Sequence, residues 1–169
     1  STRSGPATMA KHAASEDAET RARTARALGR LRTIAALGQL QRLSADASTE
    51  VRLAAAFALS QTPGSGPFCR KRLAVEQVSQ VRAELYFAIG LQGTAADLPT
   101  LTDAISQPTH KAHTTAEVSM AAEAIGRMAM RGIWPSTGEP TVRRPPEQHR
   151  RRQVRIRRIA AFSLAPIHP

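Results

Sequence analysis

One cysteine, one tryptophan and one tyrosine stand in 169 residues, and aromatic side chains make up only 4% of the chain. The lone Cys69 excludes an intramolecular disulfide and a cysteine zinc cluster, so the sequence lacks the marks of a small secreted domain held by cross-links. Arg70, Lys71 and Arg72 follow it and would lower a thiol pKa if they faced it; the reading favoured is a buried, structural thiol. Few large rings and abundant alanine suit helices that approach one another closely, and suit a bulky globular core poorly. No apolar run approaches the about 18 residues of a membrane-spanning helix. Residues 1–14 have no continuous apolar stretch and do not form a secretory signal. The location expected from these absences is the cytoplasm or another reducing compartment. The chain opens on Ser1 and not on Met, as a fragment or a processed product does, so a removed targeting segment stays open.

Catalytic patterns are missing too. His110 and His113 stand three apart and would share a face if helical, but no third ligand is placed by sequence, and His12, His149 and His168 are remote. Gly64 to Lys71 puts glycines before a basic cluster without the Gly, Lys, Ser/Thr order of a phosphate loop. There is no glycine-rich dinucleotide turn and no serine elbow, and Glu117 and Glu123, six apart on one expected helix, do not meet. The sequence therefore assigns no catalytic, cofactor-binding or metal-binding residue, and no cofactor.

Charge is present but unevenly placed. The formal net charge is +11, and Arg143, Arg144, Arg150, Arg151, Arg152, Arg155, Arg157 and Arg158 oppose the single Glu147 within their stretch. Such asymmetry predicts a local polyanion-binding segment rather than a basic surface throughout. Arginine offers paired donors to phosphate oxygens, so RNA or DNA backbone is one partner the segment fits. No aromatic residue is interleaved with these arginines, so stacking on single-stranded bases gains no support. An acidic protein is another partner, and Ile156, Ile159 and Phe162 add an amphipathic character that suits an anionic membrane surface.

What the chain does have is a recurring phrase. A β-branched or polar residue, usually followed by Arg, opens an alanine-rich turn that closes on a large apolar residue and a small one. It runs from Thr20 and Arg21 to Leu28 and Gly29, from Val51 and Arg52 to Leu59 and Ser60, and from Val81 and Arg82 to Ile89 and Gly90. A fourth copy closes on Ile125 and Gly126, and a fifth runs from Val154 and Arg155 to Phe162 and Ser163. The closing residues are 31, 30, 36 and 37 apart, the period of one helical hairpin per copy. The expected fold is all-α: a right-handed α-solenoid of antiparallel helix pairs, about four complete and one partial.

The expected organisation is a flexible lead-in over 1–15, with a weak helix near Ala7 to Ala14 as the alternative, then helical repeats over 16–132. A Pro-rich linker or loop over 133–147 contains Trp134, and a basic terminal helix over 148–165 makes a partial fifth repeat. Within the repeats, Ser15 should cap a helix that Gly29 stops, and Thr49 should cap the helix from Val51. Ile34, Leu37, Leu40 and Leu43 should form an apolar seam, with Gly38 allowing close approach and Phe57 anchoring the core. Gln61 to Pro67 should break the chain before a short helix over Phe68 to Glu76. Helices should follow over Ser79 to Leu91, Ala95 to Ile105 and Glu117 to Met130, with Thr94 as a cap and Gln107 to Ala116 as a rim loop.

Val and Arg opening an alanine-rich second helix that closes on Leu or Ile and then Gly resembles the HEAT repeat, in the short bacterial form also seen in phycobilin-lyase-like proteins. The likeness covers residues 18–131 and, more loosely, 148–164. It implies an armadillo-type superhelix and an Asp–Arg bridge between successive turns, matched here by Asp46 and Arg52. Arg82 has no Asp in its turn, and Val118 and Ser119 stand where the fourth copy would have its Arg. An extended helical stack without catalytic motifs predicts a non-catalytic scaffold or adaptor for another macromolecule, a protein first, within a larger assembly. Two alternatives stay open: phosphate-backbone binding through the arginine segment, and a HEAT-like lyase or glycosylase, implied by the resemblance alone.

Overall fold

Short polar caps divide the alanine-rich chain into helices. The computed structural model describes residues 6–106 and 114–133, and every regular element among them is helical. These are α1 (Pro6–Ala13), α2 (Ala18–Arg30), α3 (Leu37–Leu43), α4 (Thr49–Ser60), α5 (Gly66–Leu73), α6 (Ser79–Gln92), α7 (Leu98–Ser106) and α8 (Thr115–Met130). Single 3-10 turns, Ile34–Ala36 and Ala95–Asp97, lead into α3 and α7. The protein is thus all-α, as the alanine content and 3.6-residue periodicity require.

The even-numbered helices form a row in which α2 packs on α4, α4 on α6 and α6 on α8. The odd-numbered helices pack on their successors: α1 on α2, α3 on α4, α5 on α6 and α7 on α8. One face of each even helix supplies the core. Ala22, Ala25 and Leu28, then Val51, Ala55 and Leu59, then Val81, Leu85 and Ile89, then Ala121, Ala124 and Met128 are all buried. Cys69 is buried among them, and burial pushes its thiol up to about 12, so it carries no thiolate at neutral pH.

Several local expectations are corrected. Asp17, not Ser15, caps α2: its carboxylate accepts from the N–H groups of Glu19 and Thr20 at 3.3 and 2.8 Å. Ser48, not Thr49, precedes α4. Gly29 does not stop α2; the helix ends where Arg32 takes a left-handed backbone with φ 48°. Gly29 is instead a crossing point, since a Cβ built there would lie 2.7 Å from Ala58 Cα on α4. Gly90 repeats the arrangement one step on: it lies within α6, and its Cβ would meet Ala124 Cα of α8 at 2.7 Å. The chain turns later, at Gly93 and Thr94, where Thr94 and Asp97 form a reciprocal capping box.

The seam of α3 keeps Leu37, Leu40 and Leu43 buried, but Ile34 sits in the preceding 3-10 turn and is 69% exposed. Gly38 is exposed, with open space around it among the described residues, so it provides no close approach. Phe57 is not a core anchor. It is 47% exposed, because Ala54, Ala55, Ala56 and Ala58 occupy the buried arc of α4 and leave its ring on the outer side. α5 begins at Gly66 with Pro67 in its first turn and ends at Leu73, so Glu76 falls in the connection to α6.

Candidate functional site: arginine clamps along the even helices

Arg143, Arg144, Arg150, Arg151, Arg152, Arg155, Arg157 and Arg158 lie outside the described residues, as do Phe162 and Ser163 of the fifth copy. Trp134, His110, His113, His149 and His168 lie outside them as well. The other residues of the recurring phrase are in the described body: Leu28, Gly29, Leu59, Ser60, Ile89 and Gly90 are buried, and Ile125 and Gly126 are half-buried.

What the described residues do bring together are the arginines that open the phrase. Each sits in the first turn of an even helix and reaches two ways. Arg21 donates through Nη1 to the carbonyls of Ser15 and Glu16, both at 2.8 Å, and through Nε and Nη2 to both oxygens of Asp46, at 2.7 and 2.8 Å. Arg52 donates through Nη1 to the carbonyls of Asp46 and Ala47, both at 3.0 Å, and grips Glu76 at 2.9 and 3.2 Å. Arg82 donates to the carbonyls of Leu73 and Glu76, at 3.0 and 3.1 Å, and its Nε lies 3.2 Å from Glu117 Oε1. In all three the guanidinium binds the carbonyl six residues before it and a carboxylate just before the next even helix or, for Glu117, in its first turn. The planar fork of arginine can fill both sets of acceptors at once, which the ammonium of lysine cannot do with the same geometry.

These clamps correct the Asp–Arg expectation. Asp46 and Arg52 do meet, but through the Asp46 carbonyl; the Asp46 carboxylate belongs to Arg21, whose paired hydrogen bonds hold it below the usual carboxylate range. Glu76 takes the same place in the next turn, so Arg82 does have a counterpart there. Its acid is a Glu, one methylene longer than the Asp of the expected bridge. Burial of Glu76 pushes its carboxyl up, yet donors from Arg52, Arg72 and the Val78 N–H outweigh that and hold it down to about 2. Where the fourth copy lacks its arginine, Glu117 stands in the first turn of α8, caps Thr114 and receives Arg82. An acid six residues before the second and third phrase arginines, Asp46 before Arg52 and Glu76 before Arg82, is the sequence signal that marks two of the three clamps.

Further ties run between units. Arg70 pairs with the buried Asp97. Gln92 Nε2 donates to the Ser60 carbonyl at 2.8 Å, and Arg131 reaches the carbonyls of Gly90 and Gly93 at 3.2 and 3.1 Å. The even helices are therefore tied near both ends, and much of the body's charge is committed to holding it together. Among the described residues the large apolar side chains left to solvent are Leu31, Ile34, Phe57, Val75 and Met130, while Phe87 is covered by the Arg127 guanidinium 4.8 Å from its ring centre. Glu84 is the exception among the acids: its Oε1 is buried without a hydrogen-bond partner, and burial pushes its carboxyl up.

A small depression of ≈ 130 Å³ lies between Ala10, Ala13 and Ala14 on one side and Gln39, Arg42 and Leu43 on the other. Among the described residues no group of His, Cys, Asp and Glu is placed to hold a metal ion, and no helix is long and apolar enough to cross a membrane. In comparison with known proteins, no family model matches the chain, and no curated protein matches it either.

Proposed function

We propose that the chain is a HEAT-like right-handed α-solenoid serving as a non-catalytic scaffold or adaptor, and that its partner is a protein within a larger assembly. The observation that carries this reading is the threefold clamp, Arg21–Asp46, Arg52–Glu76 and Arg82–Glu117, which joins successive even helices by one repeated device. A device used again at each step gives an extended surface, and extended helical surfaces bind macromolecules. The ions inside the clamps are committed to structure, so the exposed Leu31, Ile34, Phe57 and Val75 are the groups offering apolar contact. The test is to capture partners on the immobilised full chain and to compare Ile34→Ser with Phe57→Ser at unchanged circular dichroism. Loss of a stoichiometric protein partner in these variants supports the scaffold. Retention in both places the contact away from these side chains, and a chain that captures no partner but turns over a small substrate favours the lyase or glycosylase alternative.

A second reading rests on the partition of charge. The described residues hold fourteen Lys and Arg against eleven Asp and Glu, whereas residues 134–169 hold eight Arg against Glu139 and Glu147. Any binding of RNA, DNA or an anionic membrane surface is therefore assigned to that segment. Binding to a generic duplex and to single-stranded RNA should weaken steeply with salt, and changing Arg150, Arg151, Arg152, Arg155, Arg157 and Arg158 to Gln should reduce both affinity and slope. No binding at low salt removes the nucleic-acid reading; binding to anionic vesicles alone assigns the segment to a membrane.

A further inference from the structure

The even helices cross one another at a repeated seat. Gly29 of α2 receives Ala58 of α4, and Gly90 of α6 receives Ala124 of α8, with virtual Cβ contacts of 2.8 and 2.9 Å to the alanine methyl groups. Each receiving glycine is the small residue that closes the phrase. Each seated alanine is the third-last residue of the next phrase, 29 and 34 residues further on. Gly126 closes the fourth phrase, on α8, and among the described residues nothing lies within 4 Å of a Cβ built there.

The surrounding positions tell the same story. Leu28, Leu59 and Ile89, which precede the small residue, are at most 3% exposed, but their counterpart Ile125 is only half-buried. Ala25, Ala56 and Tyr86, four residues before the small residue, are buried, while Ala122 is half-buried. Met130, one turn beyond Gly126, is 70% exposed. One side of α8 thus carries the pattern that is covered on α2, α4 and α6, without its cover among the described residues.

The chain beyond α8 contains one more copy of the phrase. In Val154 to Ser163 the third-last residue is Ala161, 35 residues after Gly126, in step with the two observed seats. We propose that this segment of the same chain docks on the free side of α8, with Ala161 seated over Gly126. The inference rests on the stacked-helix reading above and extends it by one layer. It makes the arginine segment part of the end face of the stack rather than an independent tail, so a polyanion bound there meets a surface fixed by α8.

The sign of one substitution tests it. In open space, alanine in place of a mid-helix glycine stabilises a helix, whereas at an occupied seat the added methyl collides with its neighbour. Thermal unfolding of the full chain should show Gly126→Ala lowering the midpoint by about 3–10 °C, as Gly29→Ala and Gly90→Ala should also do. Ala161→Leu, too bulky for the seat, should lower the midpoint likewise, and the Gly126→Ala/Ala161→Leu double variant should lose less than the sum of the two single losses, independently of protein concentration. A raised midpoint for Gly126→Ala overturns the proposal. So do two losses that simply add, which assigns another occupant to Gly126, or a loss that varies with concentration, which assigns a second copy. If Gly29→Ala and Gly90→Ala leave the midpoint unchanged, the stacked-helix reading itself fails.

Discussion

Glu76 carries more of the structure than any other single acid described: it accepts from Arg52, Arg72 and the N–H groups of Gln77 and Val78, with its side chain 1% exposed. Removing one partner of a buried, hydrogen-bonded pair leaves the other charge uncompensated, so Glu76→Ala should cost about 3 kcal/mol in denaturant unfolding. The pair also sets a pH dependence. Because the folded carboxyl titrates at about 2 against an ordinary 4.5, its stabilisation is complete above 4.5 and is lost as the pH falls towards 2. Glu84 acts in the opposite sense. Its folded carboxyl is raised by burial, so at neutral pH its ionised form opposes folding and protonation on acidification relieves this. Glu84→Gln should raise the unfolding midpoint at pH 7 and lose that advantage as the pH approaches 4.5. The recurring arginines were visible in the sequence, whereas their acceptors were only half visible. A carbonyl has no letter of its own, and Asp46 and Glu76 serve one role with side chains of different length.

Helix positions followed from apolar spacing because a 3.6-residue period depends on the chain alone. The meaning of a glycine at the end of such a run does not. An apolar residue followed by Gly reads the same whether the chain turns there or a second helix crosses there, and at Gly29 and Gly90 it is the crossing. The direction of Phe57 was hidden for a similar reason: on an alanine-rich helix several arcs are small enough to be buried, and packing against α2 and α6 chooses among them. The contrast between neighbours on α4 gives an expected outcome. Leu59→Ala removes a side chain that is 0% exposed and should cost about 3 kcal/mol, while Phe57→Ser, on the open side, should cost about 1 kcal/mol or less. Denaturant midpoints of the two variants, compared at equal slope, check both values.

Across the whole molecule, the all-helical class and the repeated phrase were legible from composition and spacing, while the arginine segment that dominates the charge lies outside the described residues. The row of even helices, each clamped to the next by a guanidinium, also has a mechanical consequence. Ion pairs and close-packed small side chains are stiff over a fraction of an ångström and hold nothing beyond it, so the seams between neighbours are brittle. Tension applied at the two ends should release the body one layer at a time. Each rupture would free roughly 30 residues, a gain of about 100 Å in contour length, as a discrete step in a force–extension trace. A molecule built this way yields like a short ratchet under load, and the order in which its teeth let go is set by which clamp is weakest.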